Sequence, residues 1–140
     1  AVRRRTIYNV VDTLYVLIVA QDRLTRAYIG AQLMEEGFKV IGAADIIGAV
    51  LQLRESGIRP DLIVIDTLKQ DFSQEATDLL TEARGEAPVL IIHGAWDYPS
   101  RLVRQAEIYE LAKPVTIGQV VDKVKELTIH LSNCGYSEYI

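Results

Sequence analysis

Three runs of consecutive apolar residues interrupt the mixed polar and apolar pattern of this chain: Tyr15-Val-Leu-Ile-Val19, Leu62-Ile-Val-Ile65 and Val89-Leu-Ile-Ile92. A continuous apolar run of this length suits a strand covered on both faces, as in a parallel sheet between helices. The central run is framed by two carboxylates, Asp61-Leu-Ile-Val-Ile-Asp66, and the second of these falls at the carboxyl end of the strand. Open α/β sheets place their chemistry at that end. Two short segments of mixed composition, Lys39 to Ala43 and Ile108 to Ala112, bring the expected strands to five.

Between the strands the apolar period lengthens to that of a helix. One helix is expected from Leu24 to Glu36, capped by Asp22 and closed by Gly37, with Leu24, Tyr28, Ala31 and Leu33 among its inward positions. A second runs from the cap Asp45 to about Ser56, with Ile47, Val50, Leu51 and Leu53 at helical spacing, and Gly57 ends it. A third follows Ser73, with Leu79, Leu80 and Ala83 on one face. A fourth spans about Pro99 to Ala106, with proline at a tolerated first-turn position. Thr116 caps the last, where Ile117, Val120, Val121, Val124, Leu127 and Leu131 form an apolar stripe. Residues 1–13 read as an extension, 14–131 as a single domain, and 132–140 as a polar tail without periodicity.

Strands alternating with helices through short loops imply a parallel sheet with helices on both faces. The economical arrangement at this size is a flavodoxin-like, doubly wound (βα)5 sheet in strand order 2-1-3-4-5. That order sets residues 20–22 beside Asp66 and brings His93 and Lys113 to the same edge.

Composition narrows the function without naming it. The chain has 140 residues, 49% of them hydrophobic and 24% charged, as in a globular domain with one core. A net charge of -4 with no long basic run argues against a nucleic-acid or anionic-membrane surface. No apolar run approaches the roughly 20 residues of a spanning helix. Arg3-Arg4-Arg5 is followed by a stretch too short and polar for a signal peptide. Cys134 is alone, and no Cys/His cluster has metal-ligand spacing, so a reducing cytoplasm is the expected address. The turn Ala20-Gln-Asp-Arg-Leu-Thr25 has no glycine and the chain has no G-x-G-x-x-G, which excludes a flavodoxin-like cofactor binder.

From about Leu14 to Leu131 the sequence resembles the receiver domains of two-component response regulators (CheY-like). Val16-Leu-Ile-Val19 matches that family's first strand, Asp61-Leu-Ile-Val-Ile-Asp66 the strand ending in its phosphoacceptor, and Pro88-Val-Leu-Ile-Ile92 its fourth strand. Lys113-Pro114 matches its Lys-Pro signature with a cis peptide bond. The resemblance implies a phosphoacceptor position at Asp66 and a conserved-type lysine at Lys113.

The departures shape the functional expectation. Two acidic residues that hold Mg²⁺ in receivers are replaced by Ala20 and Gln21, with Asp22 one position late. His93 stands where receivers place Ser or Thr, and Glu110 where they place an aromatic switch residue, with Tyr109 one step off. The loop after Asp66 lacks the usual Pro and Gly and carries Gln70 and Gln74. Mg²⁺ demands near-octahedral oxygen coordination at about 2.0–2.1 Å and dehydrates reluctantly, so one acid beside a lysine is a poor site for it. The expectation is therefore a non-enzymatic pseudo-receiver in signal transduction that acts through protein–protein interaction, with no cofactor. The alternative is a phosphorelay receiver modified on Asp66, with Mg²⁺ held by Asp66 and Asp22.

The remaining features have two readings each. Asp66 and Lys113 form a partly buried ion pair or belong to a reactive set. His93 is a pH-responsive group, since free imidazole titrates near neutrality, or a hydrogen-bonded strand end. Trp96 and Tyr98 anchor a partner or cover the fourth helix. Arg101, Arg104, Glu107, Glu110 and Lys123 mark a dimer surface or a solvated face. Expected partners are a signalling protein, either a histidine kinase or an output domain, and a second copy of the chain; nucleic acid and membrane are not.

Overall fold

The computed structural model describes residues 13–94 and 107–137, with the side chains of residues 130 and 132–137 left aside. Five strands, β1 (Tyr15–Val19), β2 (Lys39–Ala43), β3 (Leu62–Asp66), β4 (Val89–His93) and β5 (Ile108–Ala112), form one parallel sheet in the order β2-β1-β3-β4-β5. Four described helices accompany them: α1 (Arg23–Glu35), α2 (Ile46–Ser56), α3 (Gln74–Ala83) and α4 (Ile117–Ser137). The helix expected over Pro99 to Ala106 lies outside the described residues.

The apolar runs become the three central strands because only there is each residue covered twice. Leu17, Val19, Ile63, Ile65, Val89 and Ile91 pack on one face against Ile46, Ala49, Val50 and Leu53 of α2 and Ala76 and Leu80 of α3. Their neighbours Val16, Ile18, Leu62, Val64, Leu90 and Ile92 pack on the other face against Ile29 and Leu33 of α1 and Val120, Val121 and Val124 of α4. The edge strands β2 and β5 are only partly covered, in keeping with their mixed composition.

Local chemistry starts and stops each helix. Asp22, Asp45 and Ser73 accept from the backbone amides of Thr25, Gly48 and Ala76, three residues on in each case. Thr116 and Gln119 exchange reciprocal side-chain-to-amide bonds at the start of α4, a capping box. Gly57 closes α2 at φ 71°, a left-handed conformation that costs a residue with a Cβ. At the amino edge of the sheet, Tyr15 and Asp61 exchange two bonds: Asp61 N donates to Tyr15 O, and Tyr15 N donates to Asp61 Oδ2, both at 2.8 Å.

Three sequence expectations are corrected. In α1, Leu24, Tyr28 and Ala31 face solvent; Ile29, Gly30 and Leu33 face the core. In α2, Ile46, Ala49, Val50 and Leu53 are buried, whereas Ile47 and Leu51 point outward. Both helices carry apolar residues on two faces, so periodicity alone did not say which face the sheet would take. Finally, α4 continues through Ser137 and takes in the first six residues of the expected tail. The buried Thr128 donates to Val124 O within α4, which lets a polar residue sit on its inward stripe.

Candidate functional site

The carboxyl edge of the sheet gathers the residues that the sequence singled out. The register Val19↔Ile65 sets Ala20 next to Asp66 across the β1–β3 seam, and Asp66 itself pairs with Ile92. His93 pairs with Ala112, and Lys113 N donates to His93 O at 2.9 Å. That bond extends the β4–β5 ladder by one residue and delivers the lysine to the edge. The Lys113–Pro114 peptide is cis.

Lys113 Nζ lies 2.8 Å from Asp66 Oδ1, and Leu68 N donates to the same oxygen at 3.0 Å. The Asp66 side chain retains 13% of its exposure and that of Lys113 32%, so the pair is partly desolvated. No hydrogen bond reaches Asp66 Oδ2 among the described residues. The site thus presents one carboxylate, half committed to an ammonium and half open.

Around it the acidic ligands are missing or otherwise engaged. Ala20 is buried and apolar, and Gln21 is exposed with a neutral amide. The Asp22 carboxylate takes the hydroxyl of Thr25 at 2.6 Å and its amide at 3.0 Å. Those two bonds, the hydroxyl's first, hold the Asp22 carboxyl below the ordinary 3.8. No group of three or more His, Cys, Asp and Glu side chains is placed to hold a metal ion among the described residues. A single carboxylate already paired with a lysine is a poor fit for Mg²⁺, which demands near-octahedral oxygen coordination and dehydrates reluctantly.

His93 is half-buried between two oxygens. Its Nε2 lies 3.0 Å from Glu110 Oε1 and its Nδ1 2.6 Å from Gly94 O. Glu110 thus faces His93 across the β4–β5 pair. Tyr109, its neighbour, packs with the opposite face of the sheet. Burial, then the adjacent Glu107 carboxylate, pushes the Tyr109 phenol above 10.0. The structure does not bring Tyr109 together with Asp66. Trp96, Tyr98, Arg101 and Arg104 lie outside the described residues.

Gln70 and two residues with no earlier role, Arg26 and Lys69, support the edge. Arg26 of α1 donates to Ala20 O at 2.6 Å, its stem lying across Gly42, where an added Cβ would meet Arg26 Cγ and Cδ at 3.3 Å. Gln70 Nε2 donates to Ala44 O at 2.9 Å, tying the loop after β3 to the loop after β2. Lys69 adopts φ 59° inside the turn closed by Gln70 N to Thr67 O, so a lysine occupies a left-handed position. The absence of glycine after Asp66 was the available signal for Lys69; nothing in the pattern marked Arg26.

No family model and no curated protein matches the sequence. Solved structures do match the fold. A response regulator from Thermotoga maritima is 24% identical over 82% of this chain and 97% of its own, at a TM-score of 0.60. The receiver domain of the hybrid histidine kinase CckA is 23% identical over 80% of this chain and 96% of its own, at 0.62. NtrX from Brucella abortus is 19% identical over 91% of this chain but 30% of its own, at 0.67. The chain has the flavodoxin-like fold of response-regulator receiver domains.

Proposed function

We propose that this chain is a receiver-like module of signal transduction that acts by protein–protein interaction at the Asp66 edge. In this reading it is not an enzyme and does not carry out Mg²⁺-dependent phosphoryl transfer. The observation that carries it is the 2.8 Å contact between Lys113 and Asp66 in an edge whose other acidic positions are Ala20 and Gln21. Phosphoryl transfer stabilises charge spread over three phosphoryl oxygens, which receivers do with a metal ion. Here the cation next to the carboxylate is a lysine, and a divalent ion would have to displace it while gaining a single anionic ligand. The receiver fold fits a signalling partner, a histidine kinase or an output domain, and a cytoplasmic setting. No described helix is long and apolar enough to cross a membrane.

One observation favours a second reading, that of a phosphoacceptor. Asp66 Oδ2 is unbonded among the described residues and the side chain keeps 13% of its exposure, as a nucleophilic carboxylate needs. The experiment that separates the two is an NMR titration with Mg²⁺ and beryllofluoride, a phosphoryl mimic. The interaction reading expects no saturable change in the amides of Gln21, Asp66 and Lys113. Saturable, Mg²⁺-dependent shifts there establish the phosphoacceptor and overturn it.

A further inference from the structure

The end of the sheet opposite Asp66 holds a cleft of about 450 Å³, formed where the chain enters β3 and β4. Small-molecule sites run to roughly 300–1,000 Å³, so the space is of ligand size. Pro60, Pro88 and Leu131 give the cleft apolar surface. Arg59, Asp61, Arg84 and Glu86 also line it, two cations and two anions. None of these residues belongs to the Asp66 edge.

The charges share the cleft without cancelling one another. Arg84 Nη1 donates to Ala87 O at 3.0 Å, which holds its guanidinium against the loop before β4. In the same loop Gly85 is left-handed at φ 62°, and Arg59 Nη2 lies 3.5 Å from where a Cβ on it would stand. Both arginines therefore reach one loop. Asp61 is oriented by Tyr15 N, which donates to Oδ2 and leaves Oδ1 without a hydrogen bond among the described residues. Arg59, Asp61 and Glu86 make no ion pair among the described residues.

Uncancelled charge of both signs in one cleft selects its occupant. A simple anion gains from the arginines and is repelled by Asp61 and Glu86; a simple cation meets the reverse. An apolar molecule would take water from these groups and return nothing. A small molecule that carries a carboxylate and an ammonium together answers both signs, and a guanidinium grips a carboxylate with two parallel bonds. The apolar surface then receives whatever the two charged groups leave over.

We propose that this cleft binds a free α-amino acid with an apolar side chain. Arg59 takes its carboxylate, Asp61 and Glu86 take its ammonium, and its side chain lies on Pro60, Pro88 and Leu131. The site goes beyond the reading of the Asp66 edge and is independent of it, since it shares no residue with that edge. The two ends are joined by β3, which starts next to Asp61 and finishes at Asp66.

The test is an NMR titration of the full chain with L-phenylalanine, followed at the amides of Arg59, Asp61, Gly85 and Glu86. Saturable shifts should appear there. Phenylpropanoate, which lacks the ammonium, and phenethylamine, which lacks the carboxylate, should each bind about tenfold more weakly or worse, through the loss of one charged contact. Arg59→Gln and Glu86→Gln, both at exposed positions, should weaken L-phenylalanine to the same degree, with circular dichroism confirming the fold of each variant. An absence of saturable shifts up to the solubility of the amino acid overturns the proposal. So does equal binding of either analogue, which would make the cleft a site for a single charge, and so does binding that Arg59→Gln leaves unchanged.

Discussion

Lys113 and Asp66, 47 positions apart in the chain, meet at 2.8 Å because the backbone bond from Lys113 N to His93 O sets the lysine one residue beyond β5. The pair is partly desolvated, which makes each partner costly to strand alone. Asp66→Ala should therefore destabilise the fold by about 1–2 kcal/mol, below the 3–5 of a fully buried pair because Lys113 keeps access to water. Lys113→Met should cost a similar amount. The double variant should cost less than the two added together, and urea denaturation of all four proteins gives the coupling directly. Strict additivity would show that the contact contributes nothing to stability.

Lys69 holds φ 59° at the third position of a hydrogen-bonded turn, where glycine is the residue without penalty. Lys69→Gly should raise stability by up to about 1 kcal/mol, the left-handed cost less the added chain entropy of glycine. Thermal denaturation measures it. A fall in stability would mean that the lysine side chain contributes more than its backbone costs.

The two faces of α1 are separable by mutation. Leu33→Ala should cost about 2–5 kcal/mol, since Leu33 is fully buried between the helix and the sheet. Leu24→Ala should stay within about 0.5 kcal/mol, since Leu24 is exposed. Equal costs at the two sites would reverse the assignment of faces.

The Asp22 cap makes a pH-dependent contribution. Its carboxyl is held below 3.8, first by the Thr25 hydroxyl and then by the Thr25 amide. A depressed acid stabilises the fold fully above its unfolded value of about 3.9, and that stabilisation is lost as pH falls through the folded one. Carboxyl NMR should find the Asp22 midpoint below 3.8, and Thr25→Ala should move it upward. In Asp22→Asn, stability should fall less steeply with acid than in the wild type.

The fold was legible because its strongest determinants are local and redundant. Apolar runs uninterrupted by charge specify strands covered on both faces, and Asp22, Asp45, Ser73 and Thr116 mark helix starts that the backbone then uses. The sidedness of α1 and α2 was not legible. Each helix carries apolar residues on two faces, and which face the sheet takes depends on the register of packing, set by residues far away in sequence. At the site, neighbours on strand ends followed from strand order, so the meeting of Asp66 and Lys113 was within reach. The Arg26 bond to Ala20 O was not, because a helix arginine with a long stem has no pattern that says where its tip lands. The pairing of Glu110 with His93, rather than with the Asp66 pocket, likewise depends on which side of β5 each residue takes.

The reciprocal bonds between Tyr15 and Asp61 fasten the central seam at the end remote from Asp66. Two bonds therefore lash β1 to the start of β3 at the rim away from the carboxylate, and a partner docking on the Asp66 edge meets a sheet already fastened at its far side.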